Sequence, residues 1–351
     1  MSAVLQTDAH VENYPVLPIS TLERMPKWLI CIPLTLQWLW LALRYQSLTL
    51  PSIANPAITA GGLVGEGKLE YLDAMGPTAL LATAPYCAVS THKRHTGAEL
   101  RELMRATGLS FPVVRLIENR GVLRDYLLAF PANEMVVLQQ YLPQESEAGI
   151  FYIRDPDADV GRIIGLALRY FPRVTGDGSR TIAELIAADP RAQRLLKSPR
   201  HEPSYNPDRV PSAGEMVRLA TIGSTRVGGL YLDGHEHITP QLTRAIDAIA
   251  QDMPAFYFGR FDVRFDSLHD LSAGRAFSIM EINGAGSEAI QAWDPSIGVV
   301  AGFRMIFKKQ CILFAIGNAM RRKGFKPLGI MNLARLNQRQ NRLIERYPPS
   351  N

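Results

Sequence analysis

Alternation of apolar and polar positions is sharpest over 257–288. In YFGRFDVRFD, Phe261, Val263 and Phe265 fall on one face of an extended chain and Arg260, Asp262, Arg264 and Asp266 on the other. In AFSIMEIN, the same period of two gives Phe277, Ile279, Glu281 and Asn283 a common face. The pattern predicts two strands around a loop over 267–276, then a glycine-rich turn, Gly284-Ala285-Gly286-Ser287. In a symmetric hairpin, positions whose numbers sum to 543 face each other, so Asp262 opposes Glu281. Directly opposed side chains have Cβ atoms roughly 4.5–5.5 Å apart, where like charges destabilise the pair.

The rest of the chain predicts a mixture of helices and strands. Residues 96–107 predict a helix, with Thr96 as N-cap, Glu99 three residues on and Gly108 past its end. Thr181 and Glu184 repeat that box ahead of a second helix, ended by Asp189-Pro190. Further helices are expected over 68–75, 122–130, 239–253, 302–322 and after Pro327 to Arg346. Strands are expected over 80–90 with a bend at Pro85, from Phe111, and over 135–141, 149–154, 161–170, 215–222 and 230–233. Asn55-Pro56 is a turn signal. Gly61, Gly62, Gly65 and Gly67 lead into Lys68, either as a plain loop or as a turn whose free N–H groups hold a carboxylate or phosphate.

The apolar run over 28–43 is shorter than the roughly 20 residues of a spanning helix, and Pro33, Thr35 and Gln37 interrupt it. It reads as a buried core helix, with an interfacial helix on a membrane and a true span as alternatives.

Composition leaves the class open within soluble globular proteins: 351 residues, 47% hydrophobic and 20% charged, enough for two or three subdomains. Charge is uneven. From Arg304 onward there are eleven Lys or Arg and one Glu, against a chain total of +5. That basic end reads as a solvated helical face, with nucleic acid, an anionic membrane or acidic substrates as the other partners to consider. Cys31, Cys87 and Cys311 are far apart, which excludes a thiolate zinc site by spacing and fits a reducing cytoplasm.

Two facing carboxylates with a carboxamide two residues on, and no lysine between them, suggest a divalent cation; oxygen-only ligands favour Mg²⁺ or Mn²⁺. The competing reading is a solvated hairpin with scattered charges.

The order of motifs, QQYL on a strand, GDGSRTIAELI, a glycine turn, a long helix, GRFDVRF and EIN, resembles the ATP-grasp ligases, D-alanine–D-alanine ligase, glutathione synthetase and cyanophycin synthetase among them. The resemblance covers about 95–310, and GRFD followed by EIN is its specific part. It implies an α/β (α+β) fold in which two subdomains clamp ATP between antiparallel sheets, behind an N-terminal region. The expected units are 1–94, a lid subdomain at 95–145, a core subdomain at 146–323 and a basic C-terminal helix at 324–351.

Carried onto this chain, the resemblance makes Asp262, Glu281 and Asn283 ligands of Mg²⁺ (or Mn²⁺) bridging ATP phosphates. It makes Arg260 the catalytic arginine that steadies the transferred phosphoryl group. Gln139 and Gln140, with the backbone of Tyr141 and Leu142, stand at the adenine hinge, and Glu147 at the ribose. The implied reaction activates a carboxylate as an acyl phosphate for attack by an amine. Expected partners are those two small molecules and no nucleic acid. The expected location is cytoplasmic, with a peripheral membrane contact and a homo-oligomer left open.

One departure stands out. Relatives carry Lys-Pro and a glycine-rich loop after the FPVV strand; here Arg115 follows Val114 at once. Three readings follow: a natural loop-deleted form with weakened catalysis, Arg115 standing in for the lysine, or a stretch missing from this chain. The first makes an ATP-binding or scaffold protein the alternative function.

Overall fold

The computed structural model describes residues 18–348 except positions 93, 112, 114–116, 118 and 198–204. The junction after Val114 and the Arg115 substitution therefore lie outside the described residues.

Nine strands are described: β1 Tyr86–Ser90, β2 Met135–Gln139, β3 Ser146–Ile153, β4 Arg162–Tyr170, β5 Arg173–Thr175, β6 Met216–Arg218, β7 Leu230–Asp233, β8 Phe258–Phe265 and β9 Phe277–Asn283. They form a five-stranded sheet in the order β7-β4-β3-β8-β9 and two two-stranded sheets, β1-β2 and β5-β6, with antiparallel pairing throughout. The fold is thus mixed helix and antiparallel sheet, as expected. The β1-β2 sheet joins a strand before residue 95 to one after it.

Period-two alternation divides the central sheet cleanly. One face of β3 and β8, with Ala148, Ile150, Tyr152, Phe261, Val263 and Phe265, packs on Leu242, Ile246 and Ile249 of the helix Pro240–Gln251. Each such fully buried side chain contributes about 1.5–3 kcal/mol. The opposite face changes character along its length. At one end Phe151, Ile153 and Phe258 pack on Leu313, Phe314 and Ile316 of the helix Val299–Arg322. At the other end that face carries Glu147, Arg169, Arg260, Asp262 and Arg264.

Both capping boxes form, Thr96 with Glu99 and Thr181 with Glu184. Several expectations need correction. Residues 77–81 are a helix, Pro77–Leu81, rather than the start of a strand, because Pro77 opens it and the Asp252 carboxylate accepts the Ala79 N–H at 2.9 Å. The strand expected over 215–222 shrinks to β6. The loop over 267–276 contains a short helix, Leu268–Ser272, capped by Ser267.

The apolar run becomes the helix Lys27–Arg44. Ile30 and Leu41 are buried, and Trp38 meets Phe314 edge-on with ring centroids 4.9 Å apart. Only that edge is core; most of its large apolar side chains are exposed. Among the described residues no helix is long and apolar enough to cross a membrane.

The final helix, Ile330–Arg346, lies across the molecule. The Leu328 N–H ahead of it donates to Ser52 Oγ at 2.9 Å, the Gly65 N–H donates to its Gln340 at 3.2 Å, and Tyr347 past its end packs on Phe130, centroids 5.3 Å apart.

Candidate functional site

The register across β8 and β9 pairs Arg260 with Asn283, Phe261 with Ile282 and Asp262 with Glu281, as the symmetric hairpin required. Towards the loop it slips by one, Val263 pairing with Ile279. Met280 is the extra residue of a bulge. Phe277 and Ile279 therefore do not share a face with Glu281 and Asn283: the bulge sends the first two to the core side and the second two to the charged side.

Asp262 is 2% exposed and is the hub. The Arg260 guanidinium donates to both its oxygens, at 2.6 and 2.9 Å, and Arg169 donates at 3.1 Å. Asn283 Nδ2 reaches it at 3.4 Å. Burial opposes the charge on Asp262, but Arg260 and Arg169 outweigh it and hold the carboxyl below its usual range. Gly149 lies opposite Asp262 on β3; a Cβ there would come within 2.6 Å of Ile290, 3.1 Å of the Arg260 side chain and 3.3 Å of the Asp262 carboxylate. Glycine is the residue that lets this pair lie flat on the sheet.

Glu281 is different. Among the described residues it has no ion pair or side-chain hydrogen bond, and the residue as a whole is exposed. Desolvation, and then Asp262 across the strands, hold its carboxyl above the ordinary value. Two carboxylates, one of them without a direct ion pair, and a carboxamide supply the oxygen donors a hard divalent ion takes, so this set fits Mg²⁺ or Mn²⁺. No group of three or more His, Cys, Asp or Glu gathers among the described residues, here or elsewhere; the third donor of this set is the Asn283 carboxamide.

Glu147 sits on β3, not in a loop. It pairs with Arg169 at 2.5 Å and Arg264 at 3.4 Å, its neighbours across β4 and β8. Gln139 ends β2, and Gln140 Oε1 accepts from the Ser110 N–H at 3.0 Å; Tyr141 and Leu142 follow the strand. Arg260 also donates to the Glu288 carbonyl at 3.2 Å.

The structure adds residues outside the expected site set. Lys68 opens the helix Lys68–Asp73 and donates to Gln139 Oε1 at 2.8 Å. Burial lowers its ammonium pKa, and the carboxylates of Glu281 and Asp262 pull it back up, so Lys68 faces the pair from the N-terminal side. Two backbone contacts fix it there. The Ala285 N–H donates to Gly61 O at 3.1 Å and the Gly286 N–H to Gly62 O at 2.6 Å. At Gly62, with φ +76°, a Cβ would lie 2.6 Å from Gly284 Cα, so the two glycine turns meet backbone to backbone. Asn55, fully buried, braces this arrangement. Its amide donates to Gly61 O at 2.9 Å and Phe258 O at 2.8 Å, and its carbonyl accepts from the N–H groups of Tyr257 and Phe258 at 2.8 and 3.0 Å. Arg169 was detectable as a charge ending an apolar strand; Lys68 followed a glycine run left open between a plain loop and an anion-holding turn, and Asn55 carried only a turn signal.

Lys309 lies behind the second glycine turn and donates to the Ser287 carbonyl. Burial pushes its ammonium down to about 8, with Glu288 opposing and Arg260 reinforcing the shift.

No family model matches the chain, and no curated protein matches it. Solved structures of the ATP-grasp ligase class are similar to it, the class that the sequence resembles. They include a bifunctional glutathione synthetase from Pasteurella multocida (14% identity, 69% of this chain and 36% of that one, TM-score 0.36). A D-alanine–D-alanine ligase from Bacillus anthracis is 10% identical over 76% of this chain and 72% of that one, with TM-score 0.41. An ADP complex of an N5-carboxyaminoimidazole ribonucleotide synthetase is 12% identical over 67% and 48%, with TM-score 0.34. The chain thus spans less than two thirds of the glutathione synthetase and of the ribonucleotide synthetase.

Proposed function

We propose that this chain is an ATP- and Mg²⁺-dependent ligase that activates a carboxylate as an acyl phosphate for attack by an amine. The observation that carries this reading is the opposition of Asp262 and Glu281 on adjacent strands, with Arg260 and Arg169 behind them and Lys68 in front. Asp262, Glu281 and Asn283 would hold the ion (Mg²⁺ or Mn²⁺), which when bound neutralises phosphate charge. Asp262 can serve both the arginines and an ion because, among the described residues, its Oδ1 accepts only from Arg260 Nε, which leaves that oxygen a lone pair.

The remaining roles belong to the chain's own side chains. The strand Gln139–Gln140 and the backbone of Tyr141 and Leu142 receive the purine, with Glu147 towards the ribose. Glu147 acts there mainly through Arg169 and Arg264, to which it is paired. Lys68 supplies a positive charge between the Gln139 strand and the carboxylates, the place where phosphates would lie. Arg260, held by Asp262, steadies the γ-phosphoryl group as its bond to ADP breaks and one forms to a substrate carboxylate oxygen. The amine then forms a bond to the acyl carbon, and phosphate leaves with release of a proton.

The test is ADP release with Mg²⁺ across panels of acids and amines, with hydroxylamine replacing the amine to trap the acyl phosphate as a hydroxamate. The expected result is ADP release and hydroxamate formation that need one class of acid. ATP binding without ADP release across the whole panel would favour instead an ATP-binding or scaffold protein, the reading motivated by the missing Lys-Pro and glycine-rich loop after Val114.

A further inference from the structure

The helix Lys27–Arg44 presents an outward face that nothing in the ligase reading uses. At 100° per residue, Trp28, Ile32, Leu36, Leu39, Trp40 and Leu43 fall within an arc of about 120°. All six are exposed: Trp28 is 67%, Leu36 63% and Leu43 80% accessible. The opposite side turns inward, where Gln37 donates to the Phe307 carbonyl at 3.0 Å and Leu41 is buried. The helix is therefore apolar on both sides, with Ile30, Trp38 and Leu41 turned inward, whereas an ordinary surface helix turns a polar face to solvent. The stripe runs the length of the helix, about 27 Å. An unbroken apolar surface of that extent marks an interaction site.

Charge identifies the occupant. No Asp or Glu occurs between Lys27 and Arg44, and a cation stands at each end. Lys27 lies in the first turn, where a positive charge opposes the helix dipole, so helix stability does not account for it. The Arg44 guanidinium lies over the Trp40 ring, 5.5 Å from its centroid, which keeps the charge at the rim of the stripe. Tryptophan and flanking cations around aliphatic side chains match the layering of a bilayer interface, with acyl chains beneath anionic headgroups. A second copy of the chain matches poorly. Two such stripes packed about a twofold axis bring cationic ends together, Lys27 on Arg44 if antiparallel and like on like if parallel.

The geometry points to this face as a docking surface for an anionic lipid bilayer, with the helix lying in the plane of the headgroups and the rest of the chain above it. This is independent of the ligase reading.

The experiment is co-sedimentation of the full chain with vesicles of phosphatidylcholine alone and of phosphatidylcholine with phosphatidylglycerol. Two double variants are compared, Leu36→Glu with Leu43→Glu and Lys27→Glu with Arg44→Glu, with circular dichroism to confirm folding. The wild type is expected to partition into the anionic vesicles, and the leucine variant to lose at least about ten-fold of that partitioning. The charge variant is expected to lose the preference for anionic over neutral vesicles. Three outcomes overturn the proposal: wild type left in the supernatant with both vesicles, a leucine variant that binds as the wild type does, or a dimer that the leucine variant converts to monomer with no change in vesicle binding. The last would assign the face to a second copy.

Discussion

Lys68 and Gln139, 71 residues apart, are joined by a 2.8 Å hydrogen bond that spans from the N-terminal glycine loop to the end of β2. It places an ammonium group opposite the Asp262–Glu281 pair, on the side where the sequence offered no lysine. Replacing Lys68 with Ala is expected to lower the rate of ADP release by about 10²-fold, the usual scale for losing one positioned charge at a phosphoryl centre. Lys68→Arg should recover only part of it, because a planar fork does not replace a compact ammonium. Steady-state kinetics with Mg·ATP checks both, and an unchanged rate in Lys68→Ala removes the residue from the site.

Asp262 and Glu281 face each other but should respond oppositely to neutralisation. Asp262→Asn leaves Arg260 buried without its carboxylate and should cost about 3 kcal/mol of stability. Glu281→Gln removes a charge that makes no direct ion pair and that desolvation and Asp262 disfavour, so stability should stay level or rise by about 1 kcal/mol. Both should abolish Mg²⁺-dependent nucleotide binding. Urea melts paired with nucleotide titrations, with and without Mg²⁺, measure this; equal destabilisation by the two variants would contradict the asymmetry.

Asn55→Ala should be among the most damaging single changes. It strands three backbone groups, the Tyr257 N–H and both groups of Phe258, inside the protein, and leaves the Gly61 carbonyl with only the Ala285 N–H. A loss of about 3 kcal/mol or more is expected, read as a lower denaturation midpoint. Activity per folded molecule should fall as well, since the Gly61–Gly62 turn that fixes Lys68 hangs on this amide.

Lys309 gives the pH prediction. Its folded value is about 8, below the ordinary ~10.4. Below pH 8 it is protonated in both states, and the folded state carries the full cost of burying the charge. Between 8 and about 10.4 the unfolded chain binds more protons than the folded one, so stability rises with pH. Lys309→Met should therefore be more stable than wild type at pH 7 by about 1–3 kcal/mol, with the advantage fading towards pH 10. A difference that does not change with pH would refute the assignment.

Much of the site was legible because its central relationship is local. Asp262 and Glu281 belong to neighbouring strands, and a short hairpin leaves few registers. The capping boxes at Thr96 and Thr181 were readable for the same reason, with donor and acceptor three residues apart. The bulge was also written in the chain: Ile279 and Ile282, both core residues, are three apart, a break in parity that a regular strand cannot satisfy. What stayed hidden depends on distant partners. Asn55 meets Phe258 across 203 positions, and Arg169 meets Asp262 across 93. No periodic pattern records such pairs, so Asn55 looked like a turn residue and Lys68 like a loop lysine. The exposed face of Lys27–Arg44 was hidden differently: apolar residues look the same whether they are buried by protein or left outside it.

The C-terminal helix has a mechanical consequence. It is fastened to Ser52 just ahead of its first turn, to Gly65 through Gln340 past its middle, and to Phe130 through Tyr347 beyond its last turn. Swinging the β1-β2 unit away from the central sheet must slide Tyr347 off Phe130 or draw Gln340 away from Gly65. The helix is thus a tether of fixed length, about 26 Å at 1.5 Å per residue, and it caps how wide the two halves can gape.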